Sequence, residues 1–437
     1  HHRSSAASDV YKRQVIHIIQ VYFLLPTADA LFINEEKVPV KVPVTMCVEE
    51  ANVIHKSLGA HLNGTQVQMN KIEDASKMVE VLKQKLENEE ELGIIITKMD
   101  YVPELIENDL IKPIDKAYEE LIFNRLNEKF LKSSLYYQEK LFGLPISRTT
   151  PLMYYNIDAI RSSSCELENF TVADIPKNWI DFVILLERCQ DKGDKEKPLL
   201  LGGEAYDWIF QSMVLQEGGS LLDANNAPNL ANSKSIEILE RWKALKDKGL
   251  INIEKYWDSA INIFRNGESP IVCFSSNGIA KITELEKSNF NWAVGPLPIQ
   301  QTNNVMLGGI NVYLGKNITD EQLEAGIKVM DLLYSENVQL DIFKNGFWPV
   351  INGMLDENMD ASSNKKAFQI AAKELDKLAD VNYSSKQTTL INVLRKAIES
   401  VLKNKTSPKQ ALQTAQDAIE NRSLIHISEP TRHASIS

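Results

Sequence analysis

Residues 143–160 read GLPISRTTPLMYYNIDAI. The chemistry of this stretch switches in mid-run. Leu144-Pro145-Ile146 opens as an apolar strand, and then Ser147, Arg148, Thr149 and Thr150 set four hydrogen-bonding side chains in a row. Pro151 follows, which fixes φ and has no N–H to give to a sheet ladder. The run Leu152-Met153-Tyr154-Tyr155-Asn156 then resumes in β-prone residues. A polar cluster and a proline between two strand halves suit a strand that leaves one sheet, passes a ligand cleft and enters another. A plain turn between two strands carries the same pattern. Strand side chains alternate between faces, so Arg148 and Thr150 are expected on one side and Ser147 and Thr149 on the other.

Around this stretch, strands and helices alternate. Residues 42–48 (VPVTMCV) read as a strand, 52–62 as a short helix stopped at Asn63-Gly64, and 65–72 as a second strand. Asp74 opens a helix with Met78, Leu82 and Leu86 at four-residue spacing. Residues 92–97 (LGIIIT) are wholly apolar and read as a central, parallel strand. This is a β-α-β-α-β start, the mark of an α/β lobe. Residues 104–135 read as helical with a break at Pro113, and 206–216 and 233–248 as helices. Trp179 and Trp242 fall in helix stripes and are expected in the core.

The 437 residues carry 43% hydrophobic content and a formal net charge of −11. That is too long for one small domain and suits two lobes. An acidic balance with no basic stripe argues against nucleic acid as a partner. The four cysteines, Cys47, Cys165, Cys189 and Cys273, form no C-x-x-C and have no histidine beside them, so neither a metal nor a cofactor is expected. Cys47 and Cys273 sit in apolar runs and read as buried; a Cys165–Cys189 disulfide is left open.

The two ends read differently from the body. Residues 1–14 and 422–437 show no amphipathic period and resemble translated adaptor sequence. Residues 15–30 hold an apolar run that ends at Ala28-Asp29-Ala30, the pattern of a partial secretory signal peptide with the mature chain starting near Leu31. A buried strand or helix start is the alternative. With no cysteine following the run, a lipoprotein anchor is not supported, and the expected location is periplasmic or extracellular.

The segment 143–160 resembles the LP-x-(N/S)-x-(S/T)-(S/T)-P-x-x-Y-Y-N-x-D-A crossover strand of the family 1 extracellular solute-binding proteins of ABC importers. The nearest pattern is the branch of sugar and glycerol-3-phosphate binders. Further motifs follow in order. Pro176, Trp179 and Asp181 resemble the entry to the second lobe, and FNWAVGPLP (290–298) and MLGGINVYLGKN (306–317) resemble the strands that lead back. NGFWPVINGM (345–354) resembles the family's G-(Y/F)-x-P loop, and the segment around Thr406-Ser407-Pro408 resembles its C-terminal helix pair. Single motifs of this kind are weak; six in the right order are strong.

The resemblance implies an α/β, two-lobe periplasmic-binding-protein fold of type II, maltose-binding-protein-like, with hinge crossovers near 147–152, 303–308 and 340–348. Lobe one is expected over 31–148 and 306–342, lobe two over 149–305 and 343–421. The implied function is capture of a sugar, oligosaccharide or polyol for a membrane ABC permease, by a monomer that closes on its ligand. Glycerol-3-phosphate or a glycerophosphodiester is the alternative ligand. A phosphate is disfavoured because residues 381–386 (VNYSSK) lack the arginine that such binders carry before the C-terminal helices. From other classes, a secreted carbohydrate-active enzyme and a ligand sensor for a membrane kinase remain.

Catalytic chemistry finds little support. His55 and His61 share no helix face, and no G-x-S-x-G, P-loop or G-x-G-x-x-G occurs. A binder needs aromatic faces for sugar C–H surfaces and short polar groups for hydroxyls. Stacking candidates are Tyr101, Trp208, Trp348 and Tyr383, the two tryptophans both reaching the ligand from lobe two. Hydrogen-bonding candidates are Arg148, Thr149, Thr150, Gln211, Ser275, Ser276, Asn277, Gly309 and Asn311, with Thr149 placed in the cleft by the family's crossover strand. Glu49 and Glu50 follow the first strand, at the carboxyl end where open α/β sheets bind ligands.

Overall fold

Apolar, β-branched runs assemble into two separate sheets in the computed structural model of this chain. It describes residues 41–47, 54, 66–72, 75–130, 136–137, 139–190, 197–202, 206–254, 256–283, 290–298, 301–302, 304–354, 365–379 and 381–428. The expected leader, most of the 52–62 helix, His55, His61, Glu49 and Glu50 lie outside the described residues.

The strands are β1 (Lys41–Cys47), β2 (Gln66–Ile72), β3 (Ile94–Lys98), β4 (Ile111–Lys112), β5 (Tyr136–Tyr137), β6 (Lys140–Leu141), β7 (Gly143–Thr149), β8 (Pro151–Asn156), β9 (Leu199–Gly202), β10 (Ile251–Glu254), β11 (Ile271–Ser275), β12 (Trp292–Gly295), β13 (Gly308–Gly315) and β14 (Trp348–Pro349). One sheet runs β14-β7-β13-β3-β1-β2, with β4 also on β13; the other runs β10-β9-β11-β8-β12.

In the first sheet β1 pairs in parallel with β2 and β3, as the alternating start of the chain requires. The helix Met78–Glu87 crosses between them and buries Met78, Val79 and Leu82. Ile94, Ile95 and Ile96 are each 2% exposed or less, so β3 is central. Its other neighbour, β13, runs antiparallel (Val312↔Ile96), so the sheet is mixed. An apolar run reports burial on both faces, and that is blind to strand direction.

The 104–135 stretch also departs from its reading. Its first helix, α1 (Val102–Glu107), stops six residues before Pro113: Asp109 takes φ +53° and Leu110 N–H reaches back to Leu105 O. That left-handed stop frees Ile111 and Lys112 to pair with β13 as β4.

Against the second sheet pack the helix Trp257–Arg265, on β9, β10 and β11, and α3 (Ser233–Asp247), on β10, while α2 (Tyr206–Gln216) packs on α3. Trp242 of α3 is 1% exposed, meets Phe210 edge-on at 5.7 Å and donates its N–H to Met213 Sδ at 3.2 Å. Trp179 is only partly buried, with the Arg241 guanidinium 5.6 Å from its ring centre. Cys273 is fully buried, and Cys189 is a free buried thiol, so it forms no bridge to Cys165. The two C-terminal helices, α4 (Gln387–Leu402) and α5 (Pro408–Ser428), pack on each other and on α3; α4 also lies along α2.

The segment that opened the sequence reading joins the sheets. β7 lies between β13 and β14 in the first sheet, and after Thr150 the same strand continues as β8 between β11 and β12 in the second. The chain returns from β12 to β13. The last crossing falls later than the motifs suggested. Trp348 and Pro349 pair with Arg148 and Ser147, so they belong to the first sheet, not with the second lobe.

Gly309 is the tightest point of the return. Its φ is +129°, and a β-carbon there would stand 2.2 Å from Ser147 O. Backbone cannot yield as a flexible side-chain tip can. We expect Gly309→Ala to lower stability by more than about 1 kcal/mol, read as a fall in the urea midpoint. An unchanged midpoint would mean that β13 and β7 do not approach as described.

A polar seam between the two sheets

The seam is built where β7 passes into β8. Ser276 follows β11 and holds the crossing by three bonds. Its N–H donates to Thr150 O at 2.8 Å, and its Oγ accepts from Thr150 N at 3.3 Å and from Trp348 Nε1 at 2.8 Å. Trp348 is 1% exposed and meets Phe368 edge-on at 5.7 Å. The expectation of a ring open to ligand is therefore not met at Trp348, because ring face and N–H are both spent on the protein. Ser275 and Asn277 flank this knot and bond each other through Ser275 Oγ and Asn277 Oδ1. A β-carbon on Gly346 would stand 2.5 Å from Asn277 O, so the β14 loop rests directly on this corner.

The four polar side chains of the crossing have separate fates. Arg148 is fully buried, and its Nη1 donates to Ser147 O (2.9 Å), Ile310 O (3.1 Å) and Asn311 Oδ1 (2.8 Å). Burial lowers the guanidinium's pKa to about 10, which leaves it charged at neutral pH. Asn311, also fully buried, passes the network on by donating to Tyr313 Oη at 3.1 Å. Asn311 thus positions Arg148 inside the first sheet's layer and does not face the seam. Ser147 Oγ and Thr150 Oγ1 are buried with no hydrogen-bond partner among the described residues.

Thr149 points elsewhere. A β-carbon on Gly308 would stand 2.6 Å from Thr149 Oγ1 and 2.9 Å from the Trp208 ring. A threonine from the crossing, a bare glycine from the return strand and a half-buried tryptophan from α2 therefore converge at one place. Gln211 is three residues along α2 from Trp208, on the same helical side, and is also half-buried. Gly308 and Gly309 leave backbone uncovered beside that ring.

Tyr101 ends a single 3-10 turn, Met99–Tyr101, that follows β3, and it is 3% exposed; Tyr383 is 6% exposed, so neither ring is open for stacking as expected. Both lie within electrostatic reach of a residue that sequence reasoning passed over, Asp100. Its Oδ1 is buried with no hydrogen-bond partner among the described residues. Burial holds its carboxyl up to about 6, from an ordinary 3.8; Lys98 and a hydrogen bond from Gln387 pull down and Asp207 pushes up. Asp207 is itself taken by Arg395, whose Nε lies 2.7 Å from Asp207 Oδ1. The signal for Asp100 was present: the rule about strand carboxyl ends, applied to Glu49 and Glu50 after β1, applies equally to the second residue after β3. Among the described residues no cluster of His, Cys, Asp and Glu fits a metal ion.

The raised Asp100 value fixes the sign of a pH effect. Below about pH 4 folded and unfolded chains both carry the proton. Between about pH 4 and 6 the unfolded chain loses it first, so stability falls as pH rises, and above that window the cost is complete. Asp100→Asn removes the term. We expect the variant to gain thermal stability over the parent chain at pH 7 and to lose that advantage at pH 4. An advantage that is independent of pH would place the carboxyl in solvent.

Comparison with known proteins now bears on this geometry. The sequence profile of the family described as bacterial extracellular solute-binding protein matches residues 59–370, and the chain belongs to that family. A binding protein of Brucella abortus is 24% identical over 278 residues, which span 60% of this chain and 62% of the relative, so the match covers less than two thirds of that protein's length. The sn-glycerol-3-phosphate-binding periplasmic protein UgpB of Escherichia coli is 24% identical over 338 residues, 70% of this chain and 73% of its own. Among solved structures, an ABC transporter solute-binding protein of Agrobacterium radiobacter in complex with ribitol superposes with a TM-score of 0.76 at 16% identity, covering 88% of this chain and 98% of the other. UgpB of Mycobacterium tuberculosis in complex with glycerophosphocholine gives 0.73 at 14% identity, with 88% and 99% covered. MalE of Bdellovibrio bacteriovorus bound to maltotriose gives 0.73 at 16%, with 88% and 100% covered. The fold is the maltose-binding-protein-like, type II periplasmic binding fold.

Proposed function

We propose that this bacterial extracellular solute-binding protein holds a small neutral polyol or sugar in the seam between its sheets and delivers it to a membrane ABC permease. The observation that carries the ligand class is the pairing of an aromatic face with short polar groups. Trp208 stands beside Thr149 Oγ1 and the bare backbone of Gly308, and the Asp100 carboxyl lies within electrostatic reach of Asp207, the residue before Trp208. Aromatic faces take sugar C–H surfaces, and a carboxyl and a hydroxyl take ligand hydroxyls. A half-buried carboxyl whose ionisation is already disfavoured would be opposed further by an anionic ligand.

The second reading is a glycerophosphodiester. It is favoured by the likeness to UgpB, whose relatives bind sn-glycerol-3-phosphate and glycerophosphocholine. Against it stand the engagement of Arg395 by Asp207 and the absence of arginine from 381–386. Secretion through the leader read at 15–30 fits the family's extracellular setting, and among the described residues no helix is long and apolar enough to cross a membrane. Uptake, not catalysis, is the role that the family supports.

A thermal-shift screen over sugars, polyols and phosphodiesters tests the ligand class, since a bound ligand raises the melting temperature by mass action. A polyol or sugar hit is expected; a hit confined to phosphodiesters would replace the first reading by the second. With the hit in hand, Trp208→Ala and Thr149→Val should each cost about 1 kcal/mol of binding, roughly fivefold in Kd, with little change in ligand-free melting temperature. Wild-type affinity in both variants would remove the β7–β13–α2 junction from the site.

A further inference from the structure

The helix α4 is tied to both halves of the protein. Along its length it packs on α2, α3 and α5. Arg395 bonds Asp207 of α2, and the hydroxyl of Tyr206 donates to Arg395 O at 3.1 Å. These ties fix α4 to the layer that covers the second sheet. Its first turn reaches the other way. Lys386, its N-cap, supplies no side-chain bond to the helix end. The cap comes from outside the helix: Glu104 of α1 accepts from Thr388 N at 2.7 Å and from Thr388 Oγ1 at 2.8 Å, both on Oε2. One residue earlier, Gln387 Oε1 accepts from Ser384 N at 3.2 Å, and Ile391 belongs to the same apolar cluster as Tyr101, Val102, Leu105 and Tyr313.

The Glu104 contact has two physical sources of strength. The first amide groups of a helix have no partner inside it, and a carboxylate there meets the positive end of the helix dipole. Both donors sit on one residue, so a single oxygen secures the turn. The tie joins α1, which follows β3 of the first sheet, to α4, which packs on α2 and α3. Any rotation that parts the two sheets about the β7–β8 crossing must pull α1 from α4.

We propose that α4 is an interlobe strap, with Arg395–Asp207 its fixed end and Glu104–Thr388 its releasable end, so that the ligand-free protein is held near the arrangement seen here. This rests on the hinge-closing reading above. The Glu104 carboxylate acts by positioning, not by touching ligand.

Small-angle scattering and amide hydrogen exchange on the ligand-free protein test this together. For Glu104→Ala we expect a larger radius of gyration than wild type and lost protection in the first turn of α4. Thr388→Val keeps the backbone bond and loses the hydroxyl; it should move both readings in the same direction by less, and it carries the test if Glu104→Ala does not fold. Lost protection with an unchanged radius of gyration in the folded variants would reduce Glu104 to a local cap and overturn the strap. Failure of the hinge reading itself looks different: wild-type protein would keep one radius of gyration with every screened compound that raises its melting temperature.

Discussion

One serine hydroxyl and its own amide decide how the two sheets meet. Ser276 gives its N–H to Thr150 O and takes both the Thr150 N–H and the Trp348 indole N–H on its Oγ. Thr150 has no sheet partner of its own, because it falls between β7 and β8 and Pro151 cannot donate. A buried amide left unbonded there would cost more than an ordinary hydrogen bond contributes. Ser276 satisfies it from the second sheet's side, and Trp348 fastens the same oxygen to the first sheet's edge. The crossing is thereby one continuous polypeptide with a side-to-side pin, which permits bending at the crossing while keeping the sheets in register.

That pin explains why a tryptophan next to a family-like loop is not a ligand platform. Sequence places Trp348 beside Gly346 and Pro349, and motif reading favoured an exposed ring. Motif reading cannot see that β14 is only two residues long and lies on β7, or that Ser276 is within reach of the indole. Trp208 had no better local signal. What separates the two is that α2 delivers Trp208 against Gly308, a residue without a side chain, whereas Trp348 is delivered against Phe368.

The architecture was legible because its signals are periodic or covalent. The polar-plus-proline interruption marked the crossing, apolar runs marked β3 and β11, and the four-residue spacing of Met78, Leu82 and Leu86 marked the first long helix. Direction and pairing were less legible. β13 returns from the far side of the second sheet to lie antiparallel to β3, a contact between residues more than two hundred apart that no local pattern encodes. The candidate residues divided in the same way. Strand alternation set Thr149 on the face opposite Arg148 and the family's crossover strand suggested the cleft for it, whereas Asn311 and Arg148 form an internal network whose existence depends on the register of β13 on β7. The bulge between Ile310 and Asn311 shifts that register by one residue, and a strand pattern alone does not reveal such a shift.

Charge arrangement in the seam follows from the same constraint. The crossing carries a buried arginine that the first sheet neutralises largely through oxygen dipoles: Ser147 O, Ile310 O and Asn311 Oδ1 all lie within 3.1 Å of Nη1. Arg395, the cation of the second half, is bound to Asp207. Burial then raises the pKa of the Asp100 carboxyl, and repulsion from Asp207 raises it a little further. In the site proposed above, this arrangement would reward a ligand that brings hydroxyl donors to Asp100 and an apolar face to Trp208, and would penalise one that brings negative charge. The register of β13 fixes the partners of Arg148, and the packing of α4 on α2 brings Arg395 to Asp207.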